Sequence, residues 1–211
     1  MGIYYFTGGR FIMATYYRKR GEGLPGEGVT ARLALTLFLL ILAFTTPLAA
    51  SAGNSAKLFE AARTGDLSTV KKLVKSVDIE SADIGGRTAL MIASQEGHVP
   101  VVDFLTARGA DVNARTMYGW SSLLAASQYG HTEVVRILLK KGADVETKNI
   151  YDETPLITAS RKGNAEIVQA LIDGGADVSA RDQHGETALK NAKSAMHQDV
   201  VEILVEHGAV E

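Results

Sequence analysis

Three of the five histidines, His98, His131 and His197, share one sequence column at multiples of 33 residues, and Asp111, Asp144 and Asp177 share another. Imidazole nitrogens and carboxylate oxygens in such rows have the donor chemistry of a metal site. Zinc, however, needs its ligands about 2 Å away. One histidine per packed helical unit places neighbours about 8–10 Å apart, too far for two of them to share an ion. The histidines are therefore expected to satisfy loop carbonyls in inter-helix turns. The aspartates follow helix-ending glycines and are expected in Asx-type turns. His184, at a loop tip, and His207, near the C-terminal end, have no ligand-spaced carboxylate beside them. Gly21-Glu22-Gly23-Leu24-Pro25-Gly26 spells G-x-G-x-x-G. A dinucleotide site needs that run between a strand and a helix, and Pro25 would interrupt the amide cradle. The chain has no cysteine, which excludes disulfides, thiolate metal sites and a cysteine nucleophile. It carries no H-E-x-x-H, G-x-S-x-G or P-loop run. No enzymatic activity, catalytic residue, cofactor or metal ligand is expected.

The elements that must position these residues come from a repeat of 33. Gly86, Gly119, Asp152 and Gly185 are aligned by it, as are Leu90, Leu123, Leu156 and Leu189, and Ala93, Ala126, Ala159 and Ala192. Thr88, Ser121, Thr154 and Thr187 form a further column of side-chain oxygens suited to N-capping. Pro155 fits the first helical position and Pro100 the first turn of its helix. Gly97, Gly130 and Gly163 would end first helices, and Gly109, Gly142, Gly175 and Gly208 second helices. Val101, Val102 and Leu105, Val134, Val135 and Leu138, Ile167, Val168 and Leu171, and Val200, Val201 and Leu204 each make one apolar stripe for burial. Met196 replaces the turn glycine in the last unit, where a left-handed backbone would cost about 1 kcal/mol. Lys190, Asn191 and Lys193 add polarity to that unit's first helix, as a terminal capping repeat requires.

The 22 basic and 24 acidic residues give a net charge of −2, but the two parts of the chain differ. Residues 1–52 hold Arg10, Arg18, Lys19, Arg20 and Arg32 against Glu22 and Glu27; the remainder is net −5. Neither the near-neutral total nor the net −5 remainder has the basic surplus of a bulk nucleic-acid binder. Leu33–Phe44 is an uncharged, strongly apolar run, followed by Pro47 and Ala50-Ser51-Ala52. Basic flank, short apolar stretch and small-residue site describe an export signal over 1–52, with n-region 1–32, h-region 33–44 and cleavage after Ala52. The alternative is an uncleaved anchor over 33–56, long enough to span a bilayer. Met13 begins a more ordinary n-region than Met1, so translation is expected to start there.

Thr154-Pro155-Leu156, Gly130-His131-Thr132-Glu133-Val134-Val135 and Gly109-Ala110-Asp111-Val112-Asn113-Ala114 resemble the entry, inter-helix turn and closing loop of the ankyrin repeat. The resemblance covers about residues 55–211. It implies an all-α ankyrin-repeat solenoid, helix–turn–helix units joined by β-hairpin loops, with about five repeats including caps: 55–85, 86–118, 119–151, 152–184 and 185–211. The signature histidine is replaced by Met91, Leu124, Ile157 and Lys190, so apolar packing is expected where the family hydrogen-bonds.

The resemblance also implies a protein partner held by hairpin tips and the concave face of the first helices. The tips are 83–85, 116–118, 149–151 and 182–184, with Arg87, Trp120, Glu153 and Glu186 just beyond. Met117, Tyr118, Trp120, Ile150 and Tyr151 are expected to form one exposed patch of hot-spot composition. Gln95, Glu96, Gln128, Tyr129, Arg161 and Lys162 adjoin it on the concave side. The alternative for the aromatics is that they stiffen the loops. The chain is similar to exported bacterial ankyrin-repeat proteins, which implies a non-catalytic, monomeric binding protein, periplasmic or secreted. The alternatives are an accessory factor of a periplasmic redox or detoxifying enzyme, or a membrane-anchored scaffold. No nucleic-acid partner is expected, and membrane contact only through the signal segment.

Overall fold

The computed structural model describes residues 53–210. The expected export signal with its expected cleavage site, the expected Met13 start and the glycine run at 21–26 lie outside the described residues. Among the described residues no helix is long and apolar enough to cross a membrane.

Ten helices among the described residues form five antiparallel pairs. They are α1 (53–64) with α2 (Leu67–Leu73), α3 (Ala89–Gln95) with α4 (Val99–Ala107), and α5 (Ser122–Tyr129) with α6 (Thr132–Lys140); then α7 (Pro155–Lys162) with α8 (Ala165–Asp173), and α9 (Ala188–Ser194) with α10 (Gln198–Glu206). The inner row α3, α5, α7, α9 packs in sequence, and so does the outer row α2, α4, α6, α8, α10. The inner row carries the alanine column, Ala93, Ala126, Ala159 and Ala192, at 0% exposure. Small side chains let those helices approach more closely than the outer ones, so the stack curves toward its inner face. This is the all-helical solenoid that the repeat columns imply.

The four units after the first are built by the same local chemistry. Thr88, Ser121, Thr154 and Thr187 accept hydrogen bonds from the amides of Met91, Leu124, Ile157 and Lys190 at 3.2–3.4 Å, satisfying one orphan donor at each helix start. Pro155 and Pro100 sit in first turns, as expected. The second-helix stripes are buried in one continuous core, each large side chain contributing about 1.5–3 kcal/mol. Val201 departs from this. It is only partly buried, because among the described residues no unit packs on the far side of α10. Asn191 departs in the other direction: it is buried, and its Nδ2 donates to Thr187 O at 3.1 Å.

The histidine column holds units together. His98 Nε2 lies 2.8 Å from Arg63 O, His131 Nε2 2.8 Å from Gln95 O and His197 Nε2 3.2 Å from Arg161 O. Only an N–H can satisfy a carbonyl, so Nε2 carries the proton in each. Asn164 replaces the histidine once and donates to Ser127 O at 3.3 Å. The rings of His98, His131 and His197 pack on Gly65, Gly97 and Gly163, all at positive φ. At Met196, φ is 60° and the residue is 88% exposed; no following ring occupies the place above it among the described residues. The aspartate column forms Asx turns as expected: Asp111, Asp144 and Asp177 Oδ1 accept from the amides two residues on at 2.8–3.0 Å. Their own amides donate to Glu80 Oε1, Asn113 Oδ1 and Glu146 Oε1 of the preceding unit. The two loop columns thus form an inter-repeat hydrogen-bond ladder.

Candidate functional site

The hairpin tips are shaped by a column that sequence reading counted only as tip surface. Asp83, Thr116, Asn149 and Asp182 each turn a side-chain oxygen inward to accept two backbone amides. These are Gly85 and Arg87, Tyr118 and Trp120, Tyr151 and Glu153, and His184 and Glu186. Thr116 and Asn149 are buried as a result. The periodic oxygen-bearing side chain four residues before each Arg87-type position was the available signal. Tips also bond to each other: Ile150 N donates to Tyr118 O at 3.1 Å and Gln183 N to Tyr151 O at 3.0 Å.

Met117 points outward and is 73% exposed. Tyr118 and Trp120 both line a groove of about 330 Å³ between α3 and α5. Arg87, Met91 and Gln95 form one wall; Gln128 and Tyr129 close the other; Ser121 and Ala125 lie between them. The expectation that Trp120 stands exposed is corrected. It is only partly accessible, since small Ser121 and Ala125 leave room for the indole on the concave side. Tyr129 is 58% exposed at the groove mouth.

Ile150 and Tyr151 remain exposed at the next tip, beside Tyr118, and do not line the groove. Arg161 and Lys162 lie one unit further, in the columns of Gln128 and Tyr129. The Arg161 guanidinium is bound to Glu153, whose carboxylate also accepts from Asn149 Nδ2 at 2.7 Å. Glu153, expected beside an exposed tip, is instead buried by this pairing. Lys162 is exposed. Met91 was missed as a site residue: it stands where the family's histidine would be and was read as packing alone.

At the groove rim Arg87 donates Nε–H to Asp83 Oδ2 at 2.9 Å and its terminal nitrogen lies 2.8 Å from the same oxygen. Burial works against ionisation of the Asp83 carboxyl. The Arg87 amide and guanidinium and the Gly85 amide outweigh it and hold the carboxyl below the usual range. The arrangement offers apolar and aromatic walls, amide groups and a rim cation. Among the described residues no three His, Asp or Glu side chains converge to hold a metal ion.

Stacked helix pairs with hairpin tips and a curved inner face define a repeat solenoid. The family model described as ankyrin repeats (3 copies) matches residues 58–149 and 146–210, and the chain belongs to the ankyrin-repeat family. It is also similar to the palmitoyltransferase akr1 of Schizosaccharomyces pombe, 45% identical over 56 residues. That match covers 26% of this chain and 9% of the enzyme, and it does not establish catalysis here. Repeats of this kind are typically non-catalytic and point to a protein-interaction module.

Proposed function

We propose that the chain is an exported, non-catalytic binding protein that holds a protein partner between its hairpin tips and its concave groove. One observation carries the reading: Tyr118 belongs to both features, forming a groove wall while its carbonyl joins the neighbouring tip through Ile150. Met117, Tyr118, Ile150 and Tyr151 thus continue the groove onto the tips. Tyrosine and tryptophan dominate binding hot spots because they desolvate large areas and keep a polar handle. Export rests on the basic flank, the apolar run 33–44 and the small-residue site before Gly53.

Affinity capture from an envelope extract tests the binding, with the wild-type chain and the Met117→Ala/Ile150→Ala and Tyr118→Ala/Trp120→Ala variants as baits. A partner lost with either pair at unchanged thermal stability supports the reading. A partner retained by both pairs refutes this surface. Fractionation tests export: a mature chain in the periplasm or medium is expected, and a chain kept in the cytoplasm refutes it.

A further inference from the structure

The junction between tips 83–85 and 116–118 differs from the two after it. Ile150 N donates to Tyr118 O and Gln183 N to Tyr151 O, so each of those tips is bonded to the one before. The equivalent bond would run from Met117 N to Gly85 O. Among the described residues neither group has a hydrogen-bond partner. Gly85 also stands in the column of Tyr118 and Tyr151 and brings no side chain to it. The tip array is thus open at one junction, and Gly85 there lines the groove that Trp120 and Tyr129 share.

The groups left free at this groove are mostly donors. The Trp120 indole N–H makes no hydrogen bond among the described residues, and indole can only donate. Met117 N–H, flanked by groove-lining Thr116 and Tyr118, is a second donor. Gln128 Oε1 is buried without a partner, which leaves Nε2 as the amide atom a ligand can reach. Arg87 is the only charged residue lining the groove, and Asp83 holds its guanidinium. An occupant that fits is uncharged, rich in acceptors and apolar enough to cover the aromatic walls. An ordinary extended strand brings an N–H at every residue, and Gln95 Oε1 is one of few acceptors that could meet them. Proline has no N–H to satisfy, and a polyproline II helix makes no internal hydrogen bonds, so its carbonyls are available.

We infer that the partner lays a proline-rich segment in polyproline II conformation into the groove. Its rings cover Trp120, Tyr118 and Tyr129, and its carbonyls accept from the Trp120 indole, Gln128 Nε2 and Met117 N–H. This rests on the protein-binding reading above and adds the chemistry of the bound segment. Preformed polyproline helices dock on aromatic-lined grooves at low entropic cost. One turn of three residues rises about 9 Å, against about 8–10 Å between packed helices, so one turn crosses from the α3 wall to the α5 wall. One repeat further on, Glu153 and Arg161 replace Trp120 and Gln128 and pair with each other, so the site occurs at this junction and not at the next.

Selection of a randomised peptide display library on the full chain tests this. Anisotropy of labelled peptides then reports affinity, and Trp120, the only tryptophan, reports by its emission that they occupy the groove. Selected peptides are expected to share two prolines about three positions apart. N-methylglycine in place of either proline, which also lacks the N–H, is expected to keep affinity within about threefold, and alanine to lose about tenfold. Trp120→Ala is expected to weaken binding about tenfold or more, and Tyr129→Ala at least about threefold. Gly85→Tyr gives the open junction the residue found at the next two and is expected to cost about tenfold or more by occupying the entrance. Gly85 has no positive φ, and an added Cβ would come no nearer than 3.3 Å to another group, Asp83 Oδ1. Lys140→Ala, on the outer row, is expected to leave affinity unchanged, and circular dichroism melting confirms that each variant folds.

Selected peptides that are charged or lack proline would overturn the inference, and so would a library that yields no binder. Equal loss from N-methylglycine and alanine, or full affinity in both Trp120→Ala and Gly85→Tyr, would do the same. A captured partner lost with Tyr118→Ala/Trp120→Ala but not displaced by the selected peptides would overturn the proline segment while leaving the protein-binding function standing. A partner retained by both the tip and the groove pairs, and not displaced, would overturn both.

Discussion

Gly97→Ala isolates what the histidine ladder contributes to the stack. Gly97 has φ of 76°, and a Cβ there would lie 2.6 Å from His131 Cε1 and 2.9 Å from Cγ. Gly142, at φ of 86°, has nothing within 4 Å of the same added atom. Gly142→Ala therefore measures the backbone alone: about 1–2 kcal/mol for a left-handed L-residue, reduced by up to about 1 kcal/mol because alanine stiffens the unfolded chain. Gly97→Ala carries that cost and must also move the ring. Displacement breaks the 2.8 Å bond from His131 to Gln95 O, about 0.5–1.5 kcal/mol net, and more where the carbonyl is left dry. The expected loss is about 2–4 kcal/mol against about 1 for Gly142→Ala. Urea unfolding followed by circular dichroism and by Trp120 fluorescence reads the difference. With a slope of about 2–3 kcal/mol per molar, the midpoint of Gly97→Ala falls by about 1 M. In Gly97→Ala/His131→Ala the ring is gone, so the two losses combine to less than their sum, by about 1 kcal/mol. Equal midpoints for Gly97→Ala and Gly142→Ala, or strict additivity in the double variant, would refute the coupling of glycine and ring.

Ser94, Ser127 and Ser160 occupy one buried column, and each hydroxyl lacks a hydrogen-bond partner. Ser127→Ala is therefore expected to be neutral or to raise the melting temperature by a few degrees, since a dry hydroxyl costs about 1–3 kcal/mol; a drop on calorimetry would contradict it. Met196→Gly relieves a left-handed backbone at an exposed site and should stabilise by about 1 kcal/mol, or about 2–4 °C. Below its usual range in the folded chain, the Asp83 carboxyl binds its proton more readily when unfolded. Its stabilising contribution is thus full above the unfolded pKa of about 3.9 and lost as pH falls through the lower folded value. Asp83→Asn should flatten the acid limb of the denaturant midpoint below about pH 4 and leave its shape above pH 5 unchanged. An identical acid limb in both chains would count against it.

The solenoid was legible in the sequence because each structural requirement recurs. A cap oxygen, an alanine at the closest helix approach and a glycine at each left-handed turn must reappear every 33 residues when identical units stack. Roles of the His98 and Asp111 columns followed from the same periodicity. What was not legible is where a side chain goes when a column changes type. Trp120 replaces Arg87, Glu153 and Glu186 in its column, and its direction depends on Ser121 and Ala125 being small across from it. Burial of Glu153 depends on Arg161, eight residues on, and on Asn149, four residues before. Such outcomes belong to particular neighbours, which a repeat average conceals.

Those same departures explain where the recognition surface lies. A column that keeps its residue type does so here because the stack uses it: His131 seats on Gly97, and Asp144 closes its own turn. A column whose type varies from unit to unit can differ in chemistry along the solenoid. Met91, Gln95, Trp120, Gln128 and Tyr129 all lie in varying columns, and all line the groove. Because the chain has one tryptophan, the combination of Met91, Trp120 and Tyr129 arises once along the solenoid, between α3 and α5. A partner anchored in this groove therefore has one register, because a shift by one repeat exchanges Trp120 and Tyr129 for Glu153 and Lys162.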